Sequence, residues 1–195
     1  IIGGQATRTN GEPAYGGNIY LDSQTDTLKI TGGVIADGVA TAGSVNYNNY
    51  GGNIYGAAGS VINIKGGTVK DGALNKGQLC YGTSKTGGGW GGNIYATSGT
   101  INIQGGTVSY GTGASAANIM AFHGTLNITG GEFIAAPGST QPNVVARGFT
   151  ETKNGVTSKT YGYAYISGGH FYGSTKNLSI HSDPVQATIT GGIVE

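Results

Sequence analysis

Tyr15, Tyr50 and Trp90 each stand directly before a Gly-Gly-Asn triplet, and Tyr20, Tyr55 and Tyr95 each follow the same triplet at a fixed offset. Rings that recur at one register of a repeat would form columns. Exposed, such columns stack on the apolar faces of sugar rings, with Asn46, Asn48, Asn49 and Gln78 nearby to supply hydrogen bonds. Covered, they form a ladder that stiffens a stack through ring contacts. The six aromatic residues are therefore candidate ligand-binding residues with a purely structural alternative.

A second constellation is acidic. Asp37-Gly38 and Asp71-Gly72 occupy equivalent places in adjacent repeats, after Ile35 and Val69. Stacked repeats would bring the two carboxylates to about one strand spacing, ~4.8 Å. A carboxylate pair about 5–9.5 Å apart is what a glycosidase uses, and the same oxygens suit a hard cation. Asp-Gly is also a turn dipeptide in its own right, and Tyr110 takes the corresponding place in the next repeat. Asp22 and Asp26 fall in a short Ser/Thr-rich loop and read as solvated. His123, His170 and His181 sit at non-equivalent offsets and show no metal-ligand spacing. Cys80, the single cysteine, lacks the His or Lys surroundings that stabilise a thiolate. There is no Gly-x-Ser-x-Gly elbow, and the Gly-x-Gly runs have no helix after them to cradle a phosphate. Two arginines, Arg8 and Arg147, are few for clamping an anionic polysaccharide in a lyase. No cofactor or metal is indicated. Two Asn-x-Ser/Thr sequons, at Asn127 and Asn177, coincide with repeat positions and are better explained by the repeat.

The elements that must position these residues are short strands. Asparagines recur at Asn18, Asn53, Asn93, Asn118, Asn143 and Asn177, the shortest spacing being 25 residues. Glycine pairs recur at Gly32-Gly33, Gly66-Gly67, Gly105-Gly106, Gly130-Gly131, Gly168-Gly169 and Gly191-Gly192, and Gly3-Gly4 hints at one more partial turn. Each pair follows an alternating run such as Leu28-Lys29-Ile30-Thr31 or Ile101-Asn102-Ile103-Gln104. Period two puts the aliphatic residues of a run on one face and the polar residues on the other. No window shows helical periodicity.

Short strands separated by glycine corners, in units of about 25 residues, mark a solenoid. One unit cannot bury its apolar side alone, whereas stacked units share a continuous core. The expected fold is all-β: a right-handed parallel β-helix of about six to seven coils, forming a single domain over residues 1–195, with long loops on one edge. Right-handedness follows from the preference of parallel β connections. The asparagines are expected at corners, tolerating a left-handed backbone and bonding their copies in the next coil. Segments 36–50 and 70–90 are expected as long loops side by side, and 146–162 as a third insertion elsewhere.

Composition narrows the partners. The chain of 195 residues has 40 glycines, 10% charged residues and a formal net charge of +1. That balance excludes the basic stripe of a nucleic-acid binder and a polybasic membrane patch. No run approaches the ~18 consecutive apolar residues of a membrane-spanning helix. Both ends break off in mid-pattern, as in an excerpt of a longer molecule, and flanking domains or self-association are expected to cover the end coils.

The unit Gly91-Gly92-Asn93-Ile94-Tyr95, then Gly99-Thr100-Ile101-Asn102-Ile103-Gln104-Gly105-Gly106-Thr107-Val108, resembles the Gly-rich β-helix repeats of large cell-surface proteins of Gram-positive bacteria. More loosely, its Gly-Gly-x-Ile element is similar to repeats of chlamydial polymorphic outer-membrane proteins. The likeness covers residues 16–135 well and the remainder weakly; Ala116-Ala117 and Gln141-Pro142-Asn143 depart from it. It implies an extracellular, adhesin-like module at the bacterial surface, with a glycan or host surface as partner. The wider fold class includes pectate-lyase-like enzymes, so a polysaccharide lyase or glycoside hydrolase using Asp37 and Asp71 is the alternative.

Overall fold

The computed structural model describes residues 1–8, 12–42, 48–74, 89–180 and 184–195, and every regular element in them is a β-strand. Three six-stranded parallel sheets, each in strict chain order, run the length of the molecule. The chain is a parallel β-helix of about six coils, each contributing one strand to every sheet.

The first sheet carries the strands that follow the asparagines: Ile19–Leu21, Ile54–Gly56, Ile94–Thr97, Ile119–Phe122, Val144–Arg147 and Leu178–Ile180. The second is built from the alternating runs: Thr27–Ile30, Val61–Ile64, Thr100–Ile103, Thr125–Ile128, Gly162–Ile166 and Val185–Ile189. The third follows the glycine pairs: Val34–Ala36, Thr68–Lys70, Thr107–Ser109, Glu132–Ser139, His170–Ser174 and Ile193–Val194. Equivalent residues pair without slippage through the middle coils, as in Ile62↔Ile101↔Leu126 and Val69↔Val108↔Phe133.

The period-two pattern explains the interior. Ile54, Ile62, Ile64, Ile94, Ile101, Ile103, Ile119, Leu126 and Ile128 are fully buried in one continuous core. Burial of each such side chain contributes about 1.5–3 kcal/mol. Phe133 and Phe171 extend the column, their rings stacked with centroids 4.6 Å apart. The corner into the third sheet is set by the second glycine of each pair. Gly106 has φ +85°, and a Cβ there would lie 2.7 Å from the Gly67 carbonyl of the neighbouring coil. Only glycine meets both the left-handed backbone and the close approach.

The asparagines depart from expectation in one respect. None of them has a positive φ; the left-handed residues at this corner are Gly16, Gly51 and Gly91. The side chains instead point inward and are buried at Asn53, Asn93, Asn118 and Asn143. There they form the expected ladder. Asn18 donates to Asn53 at 2.6 Å, Asn53 to Asn93 at 2.7 Å, Asn93 to Asn118 at 2.6 Å and Asn118 to Asn143 at 2.5 Å. Asn177 stands outside it, accepting from the Ser174 amide and donating to the Glu195 carbonyl.

The two long insertions are also more ordered than loops. Val39–Thr41 pairs in parallel with Gln5–Thr7 on one side and with Ala73–Leu74 on the other, and Asn49–Tyr50 pairs in parallel with Ala14–Tyr15 on one side and with Gly89–Trp90 on the other. The insertions thus continue the solenoid sideways as two small three-stranded sheets. The segments 43–47 and 75–88 lie outside the described residues. Of the third insertion, Ala146 and Arg147 belong to the first sheet. Gly162 belongs to the second sheet, and between them Phe149–Lys153 and Val156–Thr160 form an exposed antiparallel hairpin, closed by Asn154-Gly155, both at positive φ.

Candidate functional site: an aromatic flank

The residues outside the continuous core gather on the outer face of the first sheet. In Ile54-Tyr55 and Ile94-Tyr95 the isoleucine points into the helix, so the tyrosine points out of it. It does not reach solvent: Tyr55 is 8% and Tyr95 3% exposed. They form a second apolar cluster with Ala116, Met120 and Val145, against which Tyr15, Tyr50, Trp90 and Phe122 pack. Of the covering rings, Tyr15, Tyr50 and Trp90 are held in register by the small sheet of Ala14–Tyr15, Asn49–Tyr50 and Gly89–Trp90, the last two at the ends of insertions, and Phe122 belongs to the first sheet itself. Ala116, where the repeat has glycine, is buried in this cluster.

The flank therefore has an inner and an outer row. In the inner row Tyr20, Tyr55 and Tyr95 stack in turn, with centroids 5.2 and 5.8 Å apart. Tyr20, at the first coil, is 52% exposed. In the outer row Tyr15 stacks on Tyr50 at 5.3 Å, Tyr50 meets Trp90 edge-on at 5.8 Å, and Trp90 meets Phe122 edge-on at 4.8 Å. Phe149, at the base of the hairpin, continues the row 6.4 Å beyond Phe122. The Arg147 guanidinium lies over Trp90 and Phe122, 5.7 and 5.9 Å from their centroids. Sequence reasoning found the tyrosines and Trp90 by their register. It did not find Phe122, Arg147 or Phe149, which join the row only through the coil stacking.

Burial sets the electrostatics of the flank. It pushes the hydroxyls of Tyr55 and Tyr95 well above the usual tyrosine range, with neighbouring tyrosines adding to the effect. Tyr15 and Tyr50 are raised by the same burial, and at Tyr50 the amide of Asn48, donating at 3.0 Å, partly offsets it. Asn49 is buried, whereas Asn46 and Gln78 lie outside the described residues. Beside Tyr15 and Tyr20 a recess of about 370 Å³ is lined by Gln5, Thr7 and Arg8. Of the six expected ligand-binding residues, Tyr15, Tyr20, Tyr50 and Trp90 keep exposed surface, and Tyr55 and Tyr95 lie behind them.

Asp37 and Asp71 share a column, and the column is a turn. Both have φ 54°, and Tyr110, in the next coil, has φ 55°. Each is followed by a glycine whose amide donates to a ladder asparagine: Gly38 to Asn53, Gly72 to Asn93 and Gly111 to Asn118. Gly3-Gly4 belongs to this column and not to the glycine pairs, since Gly4 donates in the same way to Asn18. The place calls for a residue that turns the chain, and two of its four occupants are not acidic. Lys70 lies 3.0 Å from Asp71, and this bond holds the Lys70 ammonium above its usual range.

The two described histidines have separate neighbours. His123 lies against Phe122, His170 sits 3.2 Å from Glu195, and His181, like Cys80, lies outside the described residues. Among the described residues no three His, Cys, Asp or Glu side chains are grouped to hold a metal ion, and no helix is long and apolar enough to cross a membrane. No protein-family model, curated protein or solved structure matches the chain.

Proposed function

We propose that this chain is a β-helix module of an extracellular bacterial surface protein, a rod that adheres to carbohydrate through its aromatic flank. The observation that carries the reading is the outer row itself: Tyr15, Tyr50, Trp90 and Phe122 in unbroken ring contact along the rod, half-exposed, with Tyr20 open beside them. Aromatic rings fixed on a rigid frame bind a sugar face with little loss of side-chain freedom. The low charge and the amide-rich surface suit a partner recognised by stacking and neutral hydrogen bonds. The resemblance of the repeat to Gram-positive surface proteins supplies the extracellular setting.

Trp90 is the only tryptophan and lies within the row, so its fluorescence reports contact. Titration with plant, mucin and bacterial polysaccharides is expected to give a saturable shift with at least one of them. Tyr50→Phe should keep the shift and Tyr50→Ala should abolish it, with circular dichroism confirming the fold of each. A flat response across the set would reduce the flank to an internal brace. The alternative enzyme reading, with Asp37 and Asp71 as the carboxylate pair, requires that a glycan be cleaved and that Asp71→Asn stop the cleavage while binding persists.

A further inference from the structure

We propose that Tyr15 and Tyr50 form an oxidative modification site: a one-electron oxidant of the radical class joins their rings by a carbon–carbon bond and so ties adjacent coils together, with Trp90 passing oxidising equivalents to them. Neither ring need meet a sugar for this chemistry, so it survives the failure of the carbohydrate reading. The two tyrosines hold the same register in neighbouring coils, paired directly in the small sheet. Their rings lie 5.3 Å apart and 8° from parallel. The spacing is that of adjacent strands, about 4.8 Å, and it leaves the carbons beside each hydroxyl within a side-chain rotation of one another.

Two other tyrosine pairs of the flank are stacked, Tyr20 with Tyr55 at 5.2 Å and Tyr55 with Tyr95 at 5.8 Å. Release of the proton selects among the three. A tyrosine gives up an electron readily only when its hydroxyl proton leaves with it. Tyr55 and Tyr95 are buried, and burial holds the proton on both oxygens. Each of the other two pairs contains at least one ring covered in this way. Tyr15 and Tyr50 both keep surface through which the proton reaches water. The Tyr50 oxygen also accepts from the Asn48 amide at 3.0 Å, a bond that favours the oxygen once its proton has gone.

Trp90 stands next in the row, its ring 5.8 Å from that of Tyr50. An electron passes between rings in contact whether they lie parallel or edge-on. An indole radical on Trp90 takes an electron and a proton from the Tyr50 phenol, which restores the tryptophan and leaves a tyrosyl radical. A second oxidising equivalent makes the radical on Tyr15. The two unpaired electrons form one bond between the ring carbons beside the oxygens. The hydrogen on each of those carbons then moves to the oxygen, which restores both phenols. In sum, two electrons go to the oxidant and two protons to solvent.

The test exposes the full chain to azide radicals made by radiolysis, each of which takes one electron and becomes azide ion. Digestion and mass spectrometry should find the Tyr15 and Tyr50 peptides joined, with the loss of two hydrogens. The protein should stay monomeric on denaturing gels at every concentration. Tyr50→Phe keeps the ring and should abolish the joined peptide, and the damage should move to Trp90 as oxygenated tryptophan. Tyr15→Phe should likewise abolish the joined peptide, whereas Tyr95→Phe should leave its yield unchanged. Cross-links only between molecules, or no joined peptide at all, overturn the site. Joining at Tyr20 and Tyr55 or at Tyr55 and Tyr95 instead defeats the selection by proton release. Trp90 left as intact in Tyr50→Phe as in the parent chain removes its part in passing oxidising equivalents.

Discussion

Replacing Asn93 by alanine tests the internal ladder where it is most completely bonded. The side chain is wholly buried. Its oxygen accepts from the Gly72 amide at 2.8 Å and from Asn53 at 2.7 Å, and its nitrogen donates to the Ser109 carbonyl at 2.7 Å and to Asn118 at 2.6 Å. The two acceptors keep other donors, since Ser109 also receives the Asp71 amide and Asn118 also receives the Gly111 amide. The two donors are worse placed. The Gly72 amide loses the partner it has here, and Asn53 keeps its bond to the Lys70 carbonyl but orphans its second N–H. At about 1–3 kcal/mol per stranded buried donor, the loss should be about 2–6 kcal/mol. The control is Asn102→Ala in the outer ladder, where Asn102 donates to Asn63 at 2.8 Å and accepts from Asn127 at 2.7 Å on the half-exposed face. Water replaces those bonds, so the cost should be about 0.5–1 kcal/mol. Urea unfolding followed by far-ultraviolet circular dichroism measures both. Equal losses for the two variants would refute the claim that burial gives the inner ladder its weight.

Other consequences follow from the corners and the flank. Gly106→Ala should cost about 3 kcal/mol or more, because strain and a backbone clash combine. Gly33→Ala, at φ +79° with nothing within 4 Å of the new Cβ, should cost only the left-handed strain, about 1–2 kcal/mol; thermal melts of the pair separate the two contributions. Burial raises the folded hydroxyls of Tyr55 and Tyr95 above their ordinary value of 10.0. Their contribution is therefore intact below about pH 10 and declines as pH rises further, by ~1.4 kcal/mol per pH unit for each group. Tyr95→Phe should flatten that alkaline decline by one group's share in melts taken between about pH 9 and 11. Asp37→Asn and Asp71→Asn should each leave the melting midpoint nearly unchanged, since Asn also tolerates a left-handed turn; a large loss for either would mean that its carboxylate does more than turn the chain.

The three long sheets were legible because local signals agree. The alternating runs, the glycine pairs and the post-asparagine strands each recur in order, and each predicts its own sheet. The asparagine ladder was legible as a bond but not as a conformation: the turn falls on Gly16, Gly51 and Gly91, which free the asparagines to extend inward. The burial of Tyr55 and Tyr95 was not legible. Period two correctly places them opposite Ile54 and Ile94, but what covers them arrives from the ends of insertions, through short strands of two residues such as Asn49–Tyr50. A strand that short has no periodicity to read. Gly3-Gly4 marked a real partial turn, Gln5–Thr7 pairing with Val39–Thr41, but at a different corner from the other pairs, since a glycine pair does not reveal which corner it serves until its neighbour in the next coil is known.

The direction of the bonding has a mechanical consequence. Backbone and amide ladders alike run along the rod, so a pull applied at its two ends loads one coil interface at a time and peels coils off in sequence. From Asn93 to Asn118 a coil holds 25 residues, which paid out straight span about 80–90 Å, against ~5 Å of rod length while coiled. Each released coil would lengthen a tether nearly twentyfold over its own share and absorb work in doing so. Under tension such a rod extends coil by coil and not all at once.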